Sequence, residues 1–155
     1  MNEIFMQEAI RLSIEPMRRG EGGPFGAVVV KNGEIIGRGW NRVTLSNDPT
    51  AHAEIVAIRE ACRRLNTFRL NDCDLYASCE PCPMCLSAAY WARVSRLYFA
   101  ATRRDAAEAG FDDEMLYREI PLPPFDRTLP AVQLLREPAL AAFSDWQAKS
   151  DKIPY

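Results

Sequence analysis

The chain has 155 residues, 48% hydrophobic and 26% charged, with a formal net charge of -2. That length and apolar content suit one domain with a core of its own, which excludes dependence on a disulfide framework. The slight negative charge weighs against nucleic acid as the main partner, since Lys and Arg supply most of such affinity, and a small molecule fits better.

The N-terminal stretch Met1 to Pro16 carries acids and lacks a long apolar run, so neither a signal peptide nor a membrane span is expected there. A cytoplasmic location follows as the default expectation. Residues 2–18 place Ile4, Phe5, Ala9, Leu12 and Met17 at helical spacing, predicting an amphipathic helix that Gly20, Gly22 and Gly23 end. Two apolar runs, Phe25 to Val30 and Ile35 to Trp40, flank Asn32-Gly33 and predict a β-hairpin. Gly37 and Gly39 interrupt its second strand, which marks close approach of a backbone or a ligand. Arg42 to Pro49 is polar and reads as a loop. A helix is expected over Ala51 to Leu65, a strand over Asp74 to Ser78, a helix over Cys82 to Ala92 and a strand over Val94 to Ala101. A turn through Gly110, a short helix over Asp112 to Glu119 and the connector Pro121 to Pro124 follow. Ala131 to Leu135 reads as a fifth strand and Ala139 to Lys149 as a last helix. Strands alternating with helices predict an α/β fold, a mixed sheet with helices on both faces.

His52, the chain's only histidine, stands in Thr50-Ala51-His52-Ala53-Glu54 at the start of a predicted helix. Pro81-Cys82-Pro83-Met84-Cys85 stands at the start of another. Together they match the pattern H-x-E followed by P-C-x-x-C of zinc deaminases. The chemistry has a physical reason at each position. Two cysteines three apart at a helix start can turn both sulfurs to one ion, and the helix terminus favours the thiolates that Zn2+ requires. His52, Cys82 and Cys85 make three protein ligands and leave the fourth tetrahedral position for water, the mark of a catalytic site. Zinc lowers the pKa of that water from about 15.7 to about 7. Glu54 is then the general base and general acid that moves its proton, and is not a ligand.

Blander readings compete. The five cysteines are odd in number, and Cys-x-x-Cys alone is also half of a structural zinc knuckle or a redox pair. Cys79 is near enough in sequence to count as a fourth ligand, but it falls at a strand end. Cys62 reads as a buried core thiol. His52 alone would be a structural histidine. Glu54 two residues on, with the prolyl cysteine pair at this distance, decides for the metal. One difficulty stands: residues two apart do not share a face of a regular helix, so His52 and Glu54 converge only if the helix is just beginning there.

The residues His52-Ala53-Glu54 and Glu80-Pro81-Cys82-Pro83-Met84-Cys85 resemble the cytidine and deoxycytidylate deaminase superfamily. Within it the chain is most similar to bacterial guanine deaminases of the short, zinc-dependent type. Gly22 to Val28, Ser46 to Glu54 and Asp105 to Asp113 carry the narrower match, together with the terminal aromatic Tyr155. The resemblance implies a three-layer α/β/α sandwich of cytidine deaminase type around a central five-stranded mixed sheet. It further implies a single deaminase domain over residues 1–155, zinc as the cofactor, and hydrolytic deamination of guanine to xanthine and ammonia. It implies a homodimer in which the C-terminal segment, about 120–155, is exchanged and closes the partner's site. Carried onto this chain, Asn41 would hydrogen-bond the purine, with Phe25, Ala53 and Trp91 also in the substrate site. Asp113 and Tyr155 would reach the base from the exchanged segment. Without the resemblance, Asn41 reads as a strand-end turn former, Trp91 as core packing, Asp113 as a helix-start acid and Tyr155 as a frayed end.

A transfer-RNA adenosine deaminase shares the zinc motifs and Asp48-Pro49-Thr50-Ala51, but it would be expected to carry a basic surface, whereas Glu108, Asp112, Asp113 and Glu114 run acidic. A cytosine deaminase is the next alternative. From a different class, a non-catalytic zinc-stabilised binding module would have no need of Glu54.

Overall fold

The hairpin expected around Asn32-Gly33 forms between β1 (Gly26–Lys31) and β2 (Glu34–Trp40). Both turn residues take positive φ, 51° at Asn32 and 79° at Gly33, which matches the twist of antiparallel strands joined by a two-residue loop. On its other side β1 pairs antiparallel with β3 (Cys73–Cys79), and β3 pairs in parallel with β4 (Arg96–Ala101). The order across the sheet is β2-β1-β3-β4. Alternation along β1 sends Ala27 and Val29 to one core and Val28 and Val30 to the other. Covered on both faces, β1 is apolar at successive positions, without the polar alternation of a half-exposed strand.

Helix α1 (Glu3–Arg18) covers one face, packing Ala9 and Leu12 against Val28, Val30 and Tyr76. Asn2 caps it by accepting the Ile4 N–H at 3.2 Å. After β2 a single turn, α2 (Val43–Ser46), leads to α3 (Ala53–Leu65), and α4 (Pro83–Trp91) follows β3. Residues of α3 and α4, among them Ala57, Ala61 and Ala89, fill the second face with Val29, Leu75 and Leu70. The interrupting glycines explain themselves here. A Cβ at Gly37 would lie 2.3 Å from the Ala57 carbonyl oxygen, and one at Gly39 would lie 2.0 Å from that of Ala53. What approaches β2 is therefore the backbone of α3, and this contact sets where α3 begins relative to the sheet. A further short helix, α5 (Arg103–Glu108), follows β4.

The structure is a computed structural model that describes residues 2–154. Sheet and helices α1 to α5 belong to one compact unit, Met1–Asp113, and Glu114–Tyr155 forms a second. The second unit contains α6 (Glu114–Glu119), a 3-10 turn (Pro124–Asp126) and α7 (Arg136–Ala148). Its Pro-rich connector folds on local bonds: the Arg127 guanidinium donates to the carbonyls of Leu122 and Ile120, at 3.0 and 3.2 Å, and the Thr128 N–H donates to Glu119 at 2.6 Å.

The fifth strand expected at Ala131 to Leu135 is corrected: the segment has no regular structure, and among the described residues the sheet has four strands. A strand exists only where a neighbouring edge takes its backbone hydrogen bonds. Here Val132 is 79% exposed, and Leu135 turns left-handed at φ 52° to begin α7. α2 and α5 occupy stretches read as loop and turn, being too short for an apolar stripe of helical period to show.

Candidate active site

The difficulty over His52 and Glu54 resolves at the start of α3. His52 is the N-cap, extended at φ -67° and ψ 156°, so it stands outside the helix that Ala53 begins. Glu54 falls in the first turn and is buried. The start of α4 repeats the arrangement: Cys82 is the N-cap, at φ -62° and ψ 166°, Pro83 occupies the first helical position, and Cys85 is the third. Proline suits that position because its missing N–H costs nothing there. Two helix starts thus bring three donor atoms together.

Those atoms, one ring nitrogen of His52 and the sulfurs of Cys82 and Cys85, lie within 4.8 Å of one another. His52 Nδ1 is 3.5 Å from each sulfur. A tetrahedral zinc with Zn–S of about 2.3 Å and Zn–N of about 2.0–2.1 Å sets its N and S ligands about 3.5 Å apart. The donor set and its spacing therefore fit zinc with one position left over. The protons are already partly sorted. A hydrogen bond from Cys85 pulls the Cys82 thiol down to about 4 against the opposing effect of burial, with His52 adding to the pull. Cys85 is pushed far up, first by that same bond and then by burial. The bond to Cys82 raises His52. Metal binding would release the remaining thiol proton. Glu54 is not among the clustered donors, and burial raises its pKa above the ordinary carboxylate value.

A cavity of about 240 Å³ opens over these groups, lined by His52, Glu54 and Cys82 on one side and by Phe25, Asn41, Phe111 and Asp113 on others. It is smaller than a drug-sized pocket, as suits one compact heterocycle. Phe25 and Phe111 meet edge to face at 4.9 Å and 88°, presenting apolar surface to a flat ring. Asn41 is buried, and its Oδ1 accepts from the N–H groups of Gly23 and Val43, each at 3.3 Å. That leaves its amide nitrogen as the group free to donate to a ligand. Burial raises the Asp113 carboxyl, and the charge on Cys82 adds to the effect.

Of the residues expected from the sequence, the structure gathers Phe25, Asn41, His52, Glu54, Cys82 and Asp113 around one cavity, with Cys85 beneath. Asp113 lines the cavity of its own chain. Ala53 is buried at the start of α3 and packs in the core. Trp91 is neither core nor cavity wall: it ends α4 at 62% exposed. Tyr155 lies outside the described residues. Cys79, Glu80, Arg103, Ala106, Phe111 and Asp112 also line the cavity; none is assigned to the substrate site from the sequence, where Cys79 is weighed only as a fourth metal ligand. One available signal was Thr102-x-x-Asp105. In the structure the Thr102 hydroxyl accepts the Asp105 N–H while Asp105 accepts the Thr102 N–H, a capping box that starts α5.

Two helix starts that offer one imidazole and two thiols, with a buried carboxylate alongside, define the site of a zinc-dependent hydrolytic deaminase. The chain belongs to the cytidine and deoxycytidylate deaminase family, whose zinc-binding region matches residues 1–101. It is 52% identical over 154 residues to the guanine deaminase of Bacillus subtilis (strain 168), covering 99% of each chain. An X-ray structure of guanine deaminase from Bacillus subtilis is similar at a TM-score of 0.97, over 100% of this chain and 99% of that one. A guanine deaminase from Nitrosomonas europaea is 35% identical with a TM-score of 0.69, over 72% of this chain and 65% of its own. The tRNA-specific adenosine deaminase of Aquifex aeolicus is 48% identical, but over 64% of this chain and 65% of that protein. The fold is of the cytidine deaminase type.

Proposed function

We propose that this protein hydrolyses guanine to xanthine and ammonia. The observation that carries the proposal is likeness to guanine deaminase over the whole chain, where the match to a tRNA-specific adenosine deaminase stops at about two thirds. The cavity supports it. Glu54, Glu80, Asp112 and Asp113 stand there against Arg103 and His52, a balance that favours a neutral base bearing N–H donors over any phosphate.

His52, Cys82 and Cys85 would hold the zinc, which when bound supplies an acidified water able to attack at neutral pH. Glu54 takes a proton from the attacking water and passes it to a ring nitrogen. It then takes the proton of the newly added hydroxyl and hands it to the departing amine as the C–N bond breaks and the carbonyl forms. Water and guanine thereby become xanthine and ammonia. Burial, which raises the Glu54 pKa, suits a carboxyl that must both accept and return a proton. Asn41 donates to a purine acceptor, Asp113 accepts from a purine N–H, and Phe25 with Phe111 bounds the ring faces.

The working molecule in this proposal is a homodimer in which the segment from about 120 to 155 is exchanged. Phe125, Leu129, Val132, Leu134 and Phe143 are all exposed in the single chain, more apolar surface than such a segment keeps in water without a partner. Tyr155 would close the partner's site, and Trp91 would meet substrate only across such an interface. No helix among the described residues is long and apolar enough to cross a membrane, and thiol ligands suit a reducing compartment such as the cytoplasm.

The test is ammonia release from guanine, adenine, cytosine, guanosine and cytidine, with inosine scored in transfer RNA and particle mass read by light scattering. Guanine should respond, guanosine far less, and the mass should be near twice 17.5 kDa. Inosine in the RNA with silence on guanine would overturn the substrate. A monomeric active enzyme would overturn the exchange.

A further inference from the structure

Glu80 stands two residues before Cys82, between the metal loop and the opposite wall of the cavity. That wall is α5 and the turn beyond it, through Gly110 at φ 91° to Phe111 and Asp113. It is weakly anchored by packing, since α5 has no buried residue and Phe111 is 45% exposed. Segments with so little burial open most readily. What holds this one to the sheet is a short set of polar contacts at the end of β3. The Glu80 N–H donates to the Ala101 carbonyl at 2.8 Å, and the Cys79 thiol donates to the Thr102 carbonyl at 3.4 Å. Glu80 Oε2 accepts the Arg103 N–H at 3.1 Å.

The third contact is the one made by a carboxylate. The opening N–H groups of a helix have no partner within the helix. At α5 the capping box satisfies those of Thr102 and Asp105. The Arg103 N–H between them is met by Glu80, across 23 positions of sequence. A carboxylate at a helix start is also favoured by the backbone dipole. From Arg103 the connection runs on through α5: the Phe111 N–H donates to the Ala106 carbonyl at 2.9 Å, and Phe111 then meets Phe25.

We propose that Glu80 is a positioning residue that ties the Phe111–Asp113 wall to the metal-ligand loop and thereby sets the affinity for substrate. It acts through Arg103 and α5, without touching the reacting atoms. The proposal rests on the guanine reading for its kinetic readout only.

The test compares Glu80→Ala with Glu80→Gln, which keeps an acceptor oxygen, in the full-length zinc-loaded enzyme. Glu80→Ala should raise KM for guanine about five- to tenfold with kcat within about twofold, and Glu80→Gln should restore KM to within about twofold. Zinc content should be unchanged in both. Amide hydrogen exchange across Arg103 to Asp113 should quicken in Glu80→Ala alone. The proposal is overturned if Ala and Gln behave alike, if kcat and zinc fall together at constant KM, or if exchange in α5 does not change. If the unaltered enzyme leaves guanine intact, the substrate assignment fails, and the exchange comparison still decides the role of Glu80.

Discussion

The two walls of the cavity are built on opposite plans. On the metal side, Glu54 and Cys85 are buried in the first turns of α3 and α4, and His52 and Cys82 are the caps of those helices. Behind them Ala53, Ala57, Ala61 and Ala89 pack closely against the sheet. On the other side, α5 contributes no buried residue, starts with a capping box, and is tied to the end of β3 by the contacts of Cys79 and Glu80. Groups that must be placed to a fraction of an ångström are carried on rigid core elements, while the side that meets the variable part of a ligand hangs on a few polar ties. Substitutions in the two walls should therefore fail in different ways.

The largest effect is expected at Glu54. Glu54→Gln should lower kcat by roughly 10²–10⁴-fold and keep its zinc, because Glu54 is outside the donor cluster. Activity assays with metal analysis check this, and zinc loss would count against the assignment. The same variant sharpens the metal side by its pH dependence without metal. Burial raises the folded-state pKa of Glu54 above its ordinary value of 4.5. The fold therefore favours the protonated acid. Stability is fully present below 4.5 and is lost as pH rises through the raised value. Zinc-free Glu54→Gln should match the zinc-free parent at low pH and exceed it in Tm at neutral pH.

Next comes Gly39→Ala, which reaches the metal wall from behind. Its Cβ would lie 2.0 Å from the backbone oxygen of Ala53, so α3 must move and carry His52 and Glu54 with it. A cost of about 1–3 kcal/mol or more is expected, read by urea unfolding, with zinc affinity falling alongside. The smallest effect is expected on the outer wall. Thr102→Ala removes the cap of α5 at about 1 kcal/mol of local helix stability. Hydrogen exchange in α5 should quicken with zinc content and the urea midpoint nearly unchanged. If Thr102→Ala instead costs as much zinc as Gly39→Ala, the two walls are one cooperative unit and the contrast between them is lost.

Much of the metal wall was legible in the residues themselves. His52, Glu54, Cys82 and Cys85 carry scarce chemistry at short spacings, and the helix starts beside them are marked by Pro83 and by the polar loop before Ala53. The hairpin was legible because Asn32-Gly33 tolerates a conformation most residues avoid. The outer wall was not. Glu80 is an ordinary glutamate until the parallel pairing of β3 with β4 sets it beside Arg103. Likewise Trp91 has the composition of a core residue, and only the packing of α4 leaves it at the surface.

The chain's local chemistry thus determined which groups bind metal and move protons, and which runs become strands and helices, because ligand type, turn conformation and apolar period act over a few residues. Tertiary structure decided what depends on partners far away in sequence. Ala131 to Leu135 has the pattern of a strand but pairs with none and takes no regular structure. Gly37 and Gly39 invited either a ligand or a backbone, and it was the packing of α3 that supplied the backbone. Asp113 reads as a helix-start acid, and it becomes part of the cavity only because α5 turns at Gly110 and brings it back over the metal ligands. A side chain's type is written locally, whereas its neighbours are settled by hydrogen-bond pairing and burial across the whole sheet.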